Sequence, residues 1–297
     1  MKALVFSEFP EMAAQMVTYL KKLGEVDAAT FSAKAEALSH YGAGKAYALN
    51  GQPQFDNVSA WLADTYKAGG YDYMFIASTI LGREVAGAAS QSLDAGIISE
   101  ITEFQPGQGN VHTKRYFLGG KTVLEEESDS KVFTFAPGIV DAERVDSASP
   151  ITPADLKPSS VTVVSVEEKQ SSGVNLEKAK VIVSIGRGVG KKENIAQVEP
   201  LVKAVNGELA GSRPVCLDYQ WLSDERQVGI SGKKVRPNLY IAVGISGQIQ
   251  HIAGMRGSKV VIAFNKDKSA PIFDESDYGI VGDIFQIIPK LVQALGA

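Results

Sequence analysis

Val181-Ile-Val-Ser-Ile185 leads directly into Gly186-Arg187-Gly188-Val189-Gly190, and this stretch decides how the second half of the chain is predicted to fold. A continuous apolar run of this length is typical of a strand buried on both faces of a parallel sheet. Residues 193–205 then show helical periodicity, so the glycines lie between a strand and a helix. Backbone N–H groups at such a junction can hold a phosphate, but the spacing is GxGxG rather than GxGxxG. Alone, the motif leaves a nucleotide loop and a tight turn equally open.

The order of strand, glycine turn and helix recurs further along the chain. Leu239-Tyr-Ile-Ala-Val-Gly-Ile-Ser-Gly-Gln-Ile-Gln-His251 contains a second such junction, residues 260–264 read as a strand, and 283–295 as a closing amphipathic helix. Two more turns carry polar groups: Gly211-Ser-Arg-Pro214, after the short run 208–210, and Gln227-Val-Gly-Ile-Ser-Gly-Lys233. Each alone is explained by a surface turn. Four glycine-bearing turns together indicate an extended ligand along the C-terminal edge of a sheet.

The first half alternates strand-like and helical patterns, which indicates a parallel α/β sheet. Residues 2–7, 26–31, 45–49 and 73–77 read as strands, and 12–23, 58–67 and 84–95 as helices. Residues 114–118, 121–124 and 131–135 read as shorter, antiparallel additions, and 161–166 as the last strand. Turn residues concentrate between Ser147 and Lys180, so we place a boundary near Ser171. The predicted domains are residues 1–170, a Rossmann-like α/β domain, and 171–297, a doubly wound domain.

Composition limits the classes of function. The 297 residues, 44% hydrophobic and 22% charged, are enough for two ordinary domains. A formal net charge of −4 disfavours non-specific binding to nucleic acid or an anionic membrane. The single cysteine, Cys216, rules out an intrachain disulfide and a four-cysteine iron–sulfur cluster, and no activating neighbour marks it as a nucleophile. Redox chemistry would therefore need a bound organic cofactor.

We expect no targeting signal at the start of the chain. Met1 leads directly into an apolar strand, without an Arg-rich presequence or a signal-peptide core, and no apolar run approaches the roughly 20 residues that span a bilayer. We expect a protein that starts at Met1, does not insert into a membrane and resides in a prokaryotic cytoplasm. Of the three histidines, only His251 lies at a strand–glycine–helix junction, whereas His40 and His112 read as surface residues.

The second half resembles the electron transfer flavoprotein α family. The resemblance is carried by LYIAVGISGQIQHIAGM, VVIAFNKD and SAPIFDESDYGIVGD between Leu239 and Asp283, with the GRG, GSRP and QVGISGK turns in the expected order before them. The first half is similar more diffusely, through GREVAGAASQSLDAGIISEI. The resemblance implies an electron carrier that turns over no substrate of its own. It binds FAD, forms a heterodimer with a β subunit, and shuttles electrons between donor dehydrogenases and an acceptor such as a quinone oxidoreductase.

The resemblance also implies a set of FAD-binding residues, and no catalytic or metal-binding ones. They are Arg187, in contact with FAD; the pair Ser212 and Arg213, with Arg213 near the isoalloxazine; Gln227, Val228, Gly229, Ile230 and Ser231 at the ring edge, with Ser231 toward N5; Ser246, Gly247, Gln248, Ile249, Gln250 and His251 at the pyrophosphate and flavin edge; and Asn265, Asp283 and Ile284 at the adenosine. His251 is implied beside the C2 carbonyl. For the last group, a turn and a helix N-cap are the structural alternative.

Flavin chemistry gives these implied positions a reason. Reduction places negative charge on the N1–C2=O side of the ring, where a cation or hydrogen-bond donor stabilises it, and His251 and Arg213 suit that task. A donor at N5 adjusts the balance between oxidised and reduced forms. This sequence departs from many members of the family at Ile230, where Gln is common, and at Ser231, where Thr is common. Cys216, Trp221 and the GISGQIQ form lean toward the branch associated with nitrogen fixation and flavin-based bifurcation.

The first half lacks a glycine loop after its first strand, where Phe6-Ser-Glu-Phe-Pro10 is found, so we expect it to bind no dinucleotide and to pair with the β subunit. Three alternatives stay open at this stage. A subunit of a bifurcating complex would share the same FAD site. An NAD-dependent oxidoreductase would need GxGxxG and an acidic residue about 20 positions later. An adenine-nucleotide-binding module would keep the phosphate loops but not need His251 or Arg213.

Overall fold

The structure, a computed structural model, describes residues 1–136, 138–167 and 173–296. The chain divides into two units, Met1–Leu118 with Thr122–Val166, and Gly119–Lys121 with Glu167–Ala297. The boundary predicted near Ser171 lies outside the described residues. Within the described part of the chain, no helix is both long enough and apolar enough to cross a bilayer.

The first unit is built on a nine-stranded mixed sheet with the strand order β7-β6-β5-β8-β4-β1-β2-β3-β9. Its strands are β1 (Lys2–Phe6), β2 (Glu25–Phe31), β3 (Ala46–Asn50), β4 (Tyr73–Ala77), β5 (Ile97–Pro106), β6 (Val111–Phe117), β7 (Thr122–Ser128), β8 (Val132–Phe135) and β9 (Ile151–Asp155). Its helices are α1 (Pro10–Leu20), α2 (Ala35–Ser39), α3 (Phe55–Gly69) and α4 (Ile80–Leu93). All neighbouring strands pair in parallel except β5 with β6 and β6 with β7.

Both faces of the central strands β1, β2, β4 and β8 are buried, which explains their largely apolar sequences. On β1, Ala3 and Val5 belong to one core cluster and Leu4 and Phe6 to the other. The α/β class predicted for this half is therefore confirmed.

Three details differ from the sequence-based expectation. Residues 131–135 were expected to add antiparallel, but β8 pairs in parallel with both β4 and β5. Residues 161–166 form no strand. Their valines favour a strand, but this segment pairs with no other strand and Val164 is 93% exposed. β5, α2 and β9 were not predicted, because α2 is short, β9 contains Pro153 and β5 mixes apolar and charged residues.

The second unit contains a five-stranded sheet, ordered β11-β10-β12-β13-β14, in which all strands are parallel. Its elements are β10 (Val181–Ile185), α5 (Glu199–Ala204), β11 (Glu208–Gly211), β12 (Leu239–Val243), α6 (Ile249–Met255), β13 (Val260–Asn265), β14 (Tyr278–Val281) and α7 (Ile284–Ala294). Residues 193–205 are not one helix: a 3₁₀ turn at Lys192–Gln197 precedes α5, which carries Pro200 in its first turn. β14 was not predicted, because it has only four residues, one of them glycine, and all of them are exposed.

Helices cover both faces of this sheet, so the predicted doubly wound fold is confirmed. Alternate residues of β12 enter opposite cores: Tyr240 and Ala242 pack on the α6 side, and Ile241 and Val243 on the side of α5 and α7. β11 lies on one side of β10, whereas β12, β13 and β14 follow in order on its other side. The strand order therefore reverses between β10 and β12. In open parallel sheets, ligands bind outside the carboxyl ends of strands at such a switch point.

Candidate functional site

The two glycine loops at the switch point pack backbone against backbone. The Gly186 N–H donates to the Val243 carbonyl over 2.9 Å, and the Gly188 N–H to the Gly244 carbonyl over 2.9 Å. A Cβ on Gly188 would lie 2.7 Å from the Gly244 Cα. The first two glycines of the GxGxG motif are therefore required by close packing at the carboxyl ends of β10 and β12, whatever else the loop binds.

Backbone contacts place the other two predicted turns beside these loops. The Ser212 N–H donates to the last carbonyl of β10, Ile185, over 2.9 Å. The Val228 N–H donates to the Gly211 carbonyl over 2.9 Å, and the Ile230 N–H to the Gln250 carbonyl over 2.8 Å. All four turns selected from the sequence are thus neighbours at one end of the sheet.

The residues assigned to the adenosine follow along the same edge. Asn265, the last residue of β13, donates from Nδ2 to the Ile245 carbonyl over 2.8 Å and accepts the Asp267 N–H at Oδ1 over 3.0 Å. Asp283 caps α7, its Oδ1 accepting the Phe285 N–H over 2.9 Å. The side chain of Ile284 is buried in the core with Val243. The turn and N-cap expected as the structural alternative are therefore both present.

The candidate residues divide by exposure into a solvent-facing set and a supporting set. The exposed residues are Arg187, Arg213, Ile230, Ser231, Ser246, Gln248, Gln250 and Asp283. The buried residues are Ser212, Gln227, Val228, Gly229, Gly247, His251 and Ile284, with Ile249 and Asn265 partly exposed. Most of the exposed members are polar or charged and can meet a ligand from the solvent side.

His251 lies in the first turn of α6 and is only 6% exposed. Its Nε2 is hydrogen-bonded to the Tyr240 hydroxyl over 2.8 Å. Its Nδ1 is buried and makes no hydrogen bond within the described residues. Burial lowers the pKa of His251 to about 4, an effect that a contact with the Val228 backbone opposes, so the imidazole is neutral at pH 7.

Gln227 holds the hydroxyl of Ser231 in place. The side chain of Gln227 is buried, and its Nε2 donates to Ser231 Oγ over 2.9 Å. Because Oγ accepts this bond, the Ser231 hydroxyl hydrogen is left to donate elsewhere. A Cβ on Gly232 would lie 2.5 Å from the Gln227 carbonyl oxygen, so the tight turn itself requires glycine there.

The edge carries two exposed arginines. Neither Arg187 nor Arg213 forms an ion pair or a side-chain hydrogen bond with another described residue, whereas nearby Arg226 bonds the Leu209 carbonyl and pairs with Glu208. Cys216 is buried, and burial raises the pKa of its thiol to about 12, so it is not a nucleophile at neutral pH. Among the described residues, no group of His, Cys, Asp and Glu is arranged to hold a metal.

Comparison with known proteins assigns the chain to a family. Residues 8–171 match the electron transfer flavoprotein domain, and residues 175–256 match the electron transfer flavoprotein FAD-binding domain. The chain belongs to the electron transfer flavoprotein α family. It is 35% identical over 303 residues to protein FixB of Escherichia coli O157:H7, covering 98% of this chain and 97% of that protein. It is 34% identical over 305 residues to protein FixB of Salmonella paratyphi A, again covering 98% and 97%.

An electron transfer flavoprotein α subunit binds FAD and carries electrons as a heterodimer with a β subunit, without a substrate of its own to transform. The matched FAD-binding segment contains the four glycine turns and His251, whereas Asn265, Asp283 and Ile284 follow it.

The residues present suit a flavin dinucleotide. The buried, unpaired Nδ1 of His251 needs a polar partner, since leaving such a group unsatisfied costs about 1–3 kcal/mol. The Ser231 hydroxyl supplies a hydrogen-bond donor, and Arg187 and Arg213 supply two cations that form no ion pair with another described residue.

One polar contact of the candidate site was not predicted from the sequence. Tyr240 was treated only as part of an apolar strand, but its hydroxyl is the polar partner of His251. The available signal was a phenol within an otherwise aliphatic strand, because a buried Tyr hydroxyl usually needs a hydrogen-bond partner.

Proposed function

We propose that this α subunit binds FAD along the carboxyl edge of its five-stranded sheet, with the isoalloxazine toward His251, Ser231 and Arg213 and the adenosine toward Asn265 and Asp283. The observation that carries the proposal is the buried Nδ1 of His251, which has no hydrogen-bond partner in the described chain. A flavin carbonyl would supply the missing acceptor. Bound FAD supplies a ring that takes up and releases electrons singly or in pairs.

His251 and Arg213 stabilise negative charge on the pyrimidine side of the ring. Because the pKa of His251 is lowered to about 4, the imidazole acts at pH 7 as a neutral hydrogen-bond donor rather than as a cation. The positive charge then comes from Arg213, whose exposed guanidinium has no carboxylate partner in the described chain. A donor and a cation on one side of the ring raise its potential for accepting electrons.

Ser231 is the donor toward N5, and Gln227 is the residue that orients it. The bond from Gln227 Nε2 to Ser231 Oγ leaves the hydroxyl hydrogen directed away from the glutamine. Ile230 and Gly229 contribute the turn itself, which the Gln250 carbonyl holds against α6.

The remaining assigned residues position the dinucleotide chain. Arg187 and Ser212 flank the pyrophosphate and ring junction, and the turn from Ser246 to Gln250 follows the pyrophosphate. Asn265 fixes the turn at the adenosine end by its bond to the Ile245 carbonyl. Asp283 caps α7 with Oδ1 and contacts the adenosine end with its other carboxylate oxygen. Ile284 contacts the adenosine end only through its backbone, because its side chain is buried.

The first unit pairs with the β subunit and binds no dinucleotide. Donor dehydrogenases and an acceptor oxidoreductase, such as a quinone oxidoreductase, exchange electrons with the heterodimer, which we place in the cytoplasm. We also propose residues 1–170 and 171–297 as the functional domains.

A bifurcating complex is the second candidate. It is favoured by the extensive similarity to the FixB proteins and by the GISGQIQ form of the turn before α6. The flavin content of the heterodimer separates the two: one FAD with AMP in the β subunit supports the simple carrier, and two FAD supports bifurcation.

The site assignment is tested on the heterodimer produced by co-expression with its β subunit. We expect a yellow complex with FAD bound at the α edge, and Arg213→Ala should weaken FAD binding about tenfold, the equivalent of about 1.4 kcal/mol. The control is Lys290→Ala, which deletes an exposed cation on α7. A colourless wild-type complex, or equal affinities of the three proteins, would refute the assignment.

A further inference from the structure

The strongest unexplained feature of the second unit is a polar pair inside its core. Tyr240 has no exposed surface and belongs to the apolar cluster on the α6 face of the sheet. Its hydroxyl lies 2.8 Å from Nε2 of His251, with the two rings 6.2 Å apart. A buried phenol in an aliphatic strand is costly unless it hydrogen-bonds, so the pair is a specific feature rather than filler.

Protonation states decide which partner donates. Burial raises the pKa of the Tyr240 hydroxyl and lowers that of His251 to about 4, so both groups are neutral at pH 7. A neutral imidazole carries one hydrogen, on either Nδ1 or Nε2, and the bond made by one nitrogen selects the tautomer.

The surroundings favour the tautomer with hydrogen on Nδ1. If Nε2 carried the hydrogen and donated to Tyr240, the phenolic hydrogen would need another acceptor, but the neighbouring Ser184 hydroxyl acts to lower the Tyr240 pKa, as a donor to the phenolic oxygen does. Donation from Tyr240 to Nε2 gives the phenolic hydrogen an acceptor and leaves the hydrogen of the imidazole on Nδ1.

The protein also fixes the position of the ring. His251 lies in the first turn of α6, and a Cβ on Gly254, one turn later, would lie 2.4 Å from the backbone nitrogen of Gly229. The helix therefore rests directly on the turn that contains the flavin-facing residues. With one ring nitrogen anchored to β12 and the helix held against this turn, the imidazole has little freedom to rotate.

We propose that Tyr240 is a positioning residue that donates its phenolic hydrogen to His251 Nε2, thereby holding His251 as the Nδ1–H tautomer and presenting that donor to the flavin. The inference rests on the proposed placement of FAD. The role of Tyr240 is to select one tautomer and one ring orientation, and it needs no contact with the cofactor.

The tautomer is measured first, by magic-angle-spinning NMR of the heterodimer labelled with ¹⁵N-histidine, with and without FAD. The His251 signals are identified by subtracting the spectrum of His251→Gln. We expect a protonated Nδ1 and a bare, hydrogen-bonded Nε2 in the wild type, and loss of this preference in Tyr240→Phe. A wild-type Nε2–H tautomer, which can be read even if Tyr240→Phe does not fold, would overturn the proposal.

The electronic consequence is measured second. Tyr240→Phe should reduce about tenfold the preference of the protein for reduced over oxidised FAD, which is about 59 mV for a one-electron couple. In a His251→Leu background the same change should have no further effect on the potential, because Tyr240 acts through His251. Tyr278→Phe, an exposed tyrosine on β14, is the matched control.

The two hypotheses fail in different ways. If the wild-type complex binds no FAD, the site proposal is refuted, while the tautomer of the unliganded protein still decides the role of Tyr240. If FAD is bound but Tyr240→Phe leaves both tautomer and potential unchanged, or shifts the potential equally with and without His251, the positioning role is overturned.

Discussion

Gly188 and Gly244 come so close that neither can carry a side chain: a Cβ on Gly244 would lie 2.8 Å from the Gly188 Cα. Gly244 also has a φ of +63°, in the left-handed region that disfavours other residues. The contact joins the loops after β10 and β12, where the strand order reverses, and so fixes the centre of the candidate site.

Gly244→Ala should therefore destabilise the second unit by about 1–3 kcal/mol, through both strain and the separation of the two loops. Urea unfolding followed by Trp221 fluorescence, in a Trp61→Phe background, reports on that unit. Gly87→Ala is the control, because Gly87 lies within α4 of the first unit with nothing within 4 Å of an added Cβ, so it should leave the Trp221 transition of the second unit unchanged. Equal midpoints for Gly244→Ala and the parent would contradict the packing argument.

The same contact shows why the sequence predicted the place of the site better than its internal geometry. β10 and β12 are buried on both faces, so their apolar runs identified them, and the carboxyl ends of parallel strands necessarily share an edge. Chain order alone could not show that Gly188 packs on Gly244, because that contact depends on strand order. Strand order results from packing of the whole unit.

The features that were predicted wrongly or not at all also depend on packing between distant parts of the chain. Valines at 161–166 satisfy β propensity, but a strand needs a partner, and Val164 remains exposed. β14 has a partner in β13 but contains only four residues, one of them glycine, which is too short a run to indicate a strand on its own. The bond between Tyr240 and His251 joins a strand to a helix 11 residues later, and its existence depends on how α6 rotates on the sheet.

Arg213 provides a test of charge at the ring. A guanidinium that interacts more strongly with the reduced flavin should contribute about 1.5–3 kcal/mol once the β subunit covers it, so Arg213→Ala should lower the one-electron potential by about 65–130 mV. Arg213→Lys keeps the charge but not the planar group, and should lose less. Potentiometric titration of the heterodimers measures both, and unchanged potentials in both variants would remove Arg213 from the ring.

Asp283 separates a helix cap from a ligand-binding carboxylate. Asp283→Ala should cost about 0.5–2 kcal/mol of stability, because the Phe285 N–H loses its acceptor. Asp283→Ser keeps a capping oxygen and should preserve most of that stability, but it removes the carboxylate proposed for the adenosine end. We expect weaker FAD binding in both variants. Normal FAD affinity in Asp283→Ser would leave Asp283 with only its capping role.

The buried imidazole of His251 should make the second unit sensitive to acid. Its pKa is about 4 in the folded chain, against 6.5 for an ordinary histidine, so between these values the unfolded state binds a proton that the folded state does not. His251 therefore leaves the free energy of unfolding unchanged above about pH 6.5 and lowers it progressively as the pH falls toward 4. At about 1.4 kcal/mol per pKa unit, the loss is roughly 3 kcal/mol.

His251→Gln isolates this contribution because glutamine keeps a polar side chain but does not titrate. The carboxylates, which also titrate in this pH range, are the same in the wild type and the variant, so their effect cancels in the difference. Urea unfolding of the two, without FAD and at a series of pH values from 7.5 to 4, gives the difference in their free energies of unfolding. We expect the wild type to lose about 3 kcal/mol relative to His251→Gln over this range. Parallel pH profiles would mean that His251 is protonated as easily in the folded chain as in the unfolded one, and its role as a neutral donor to the flavin would then be wrong.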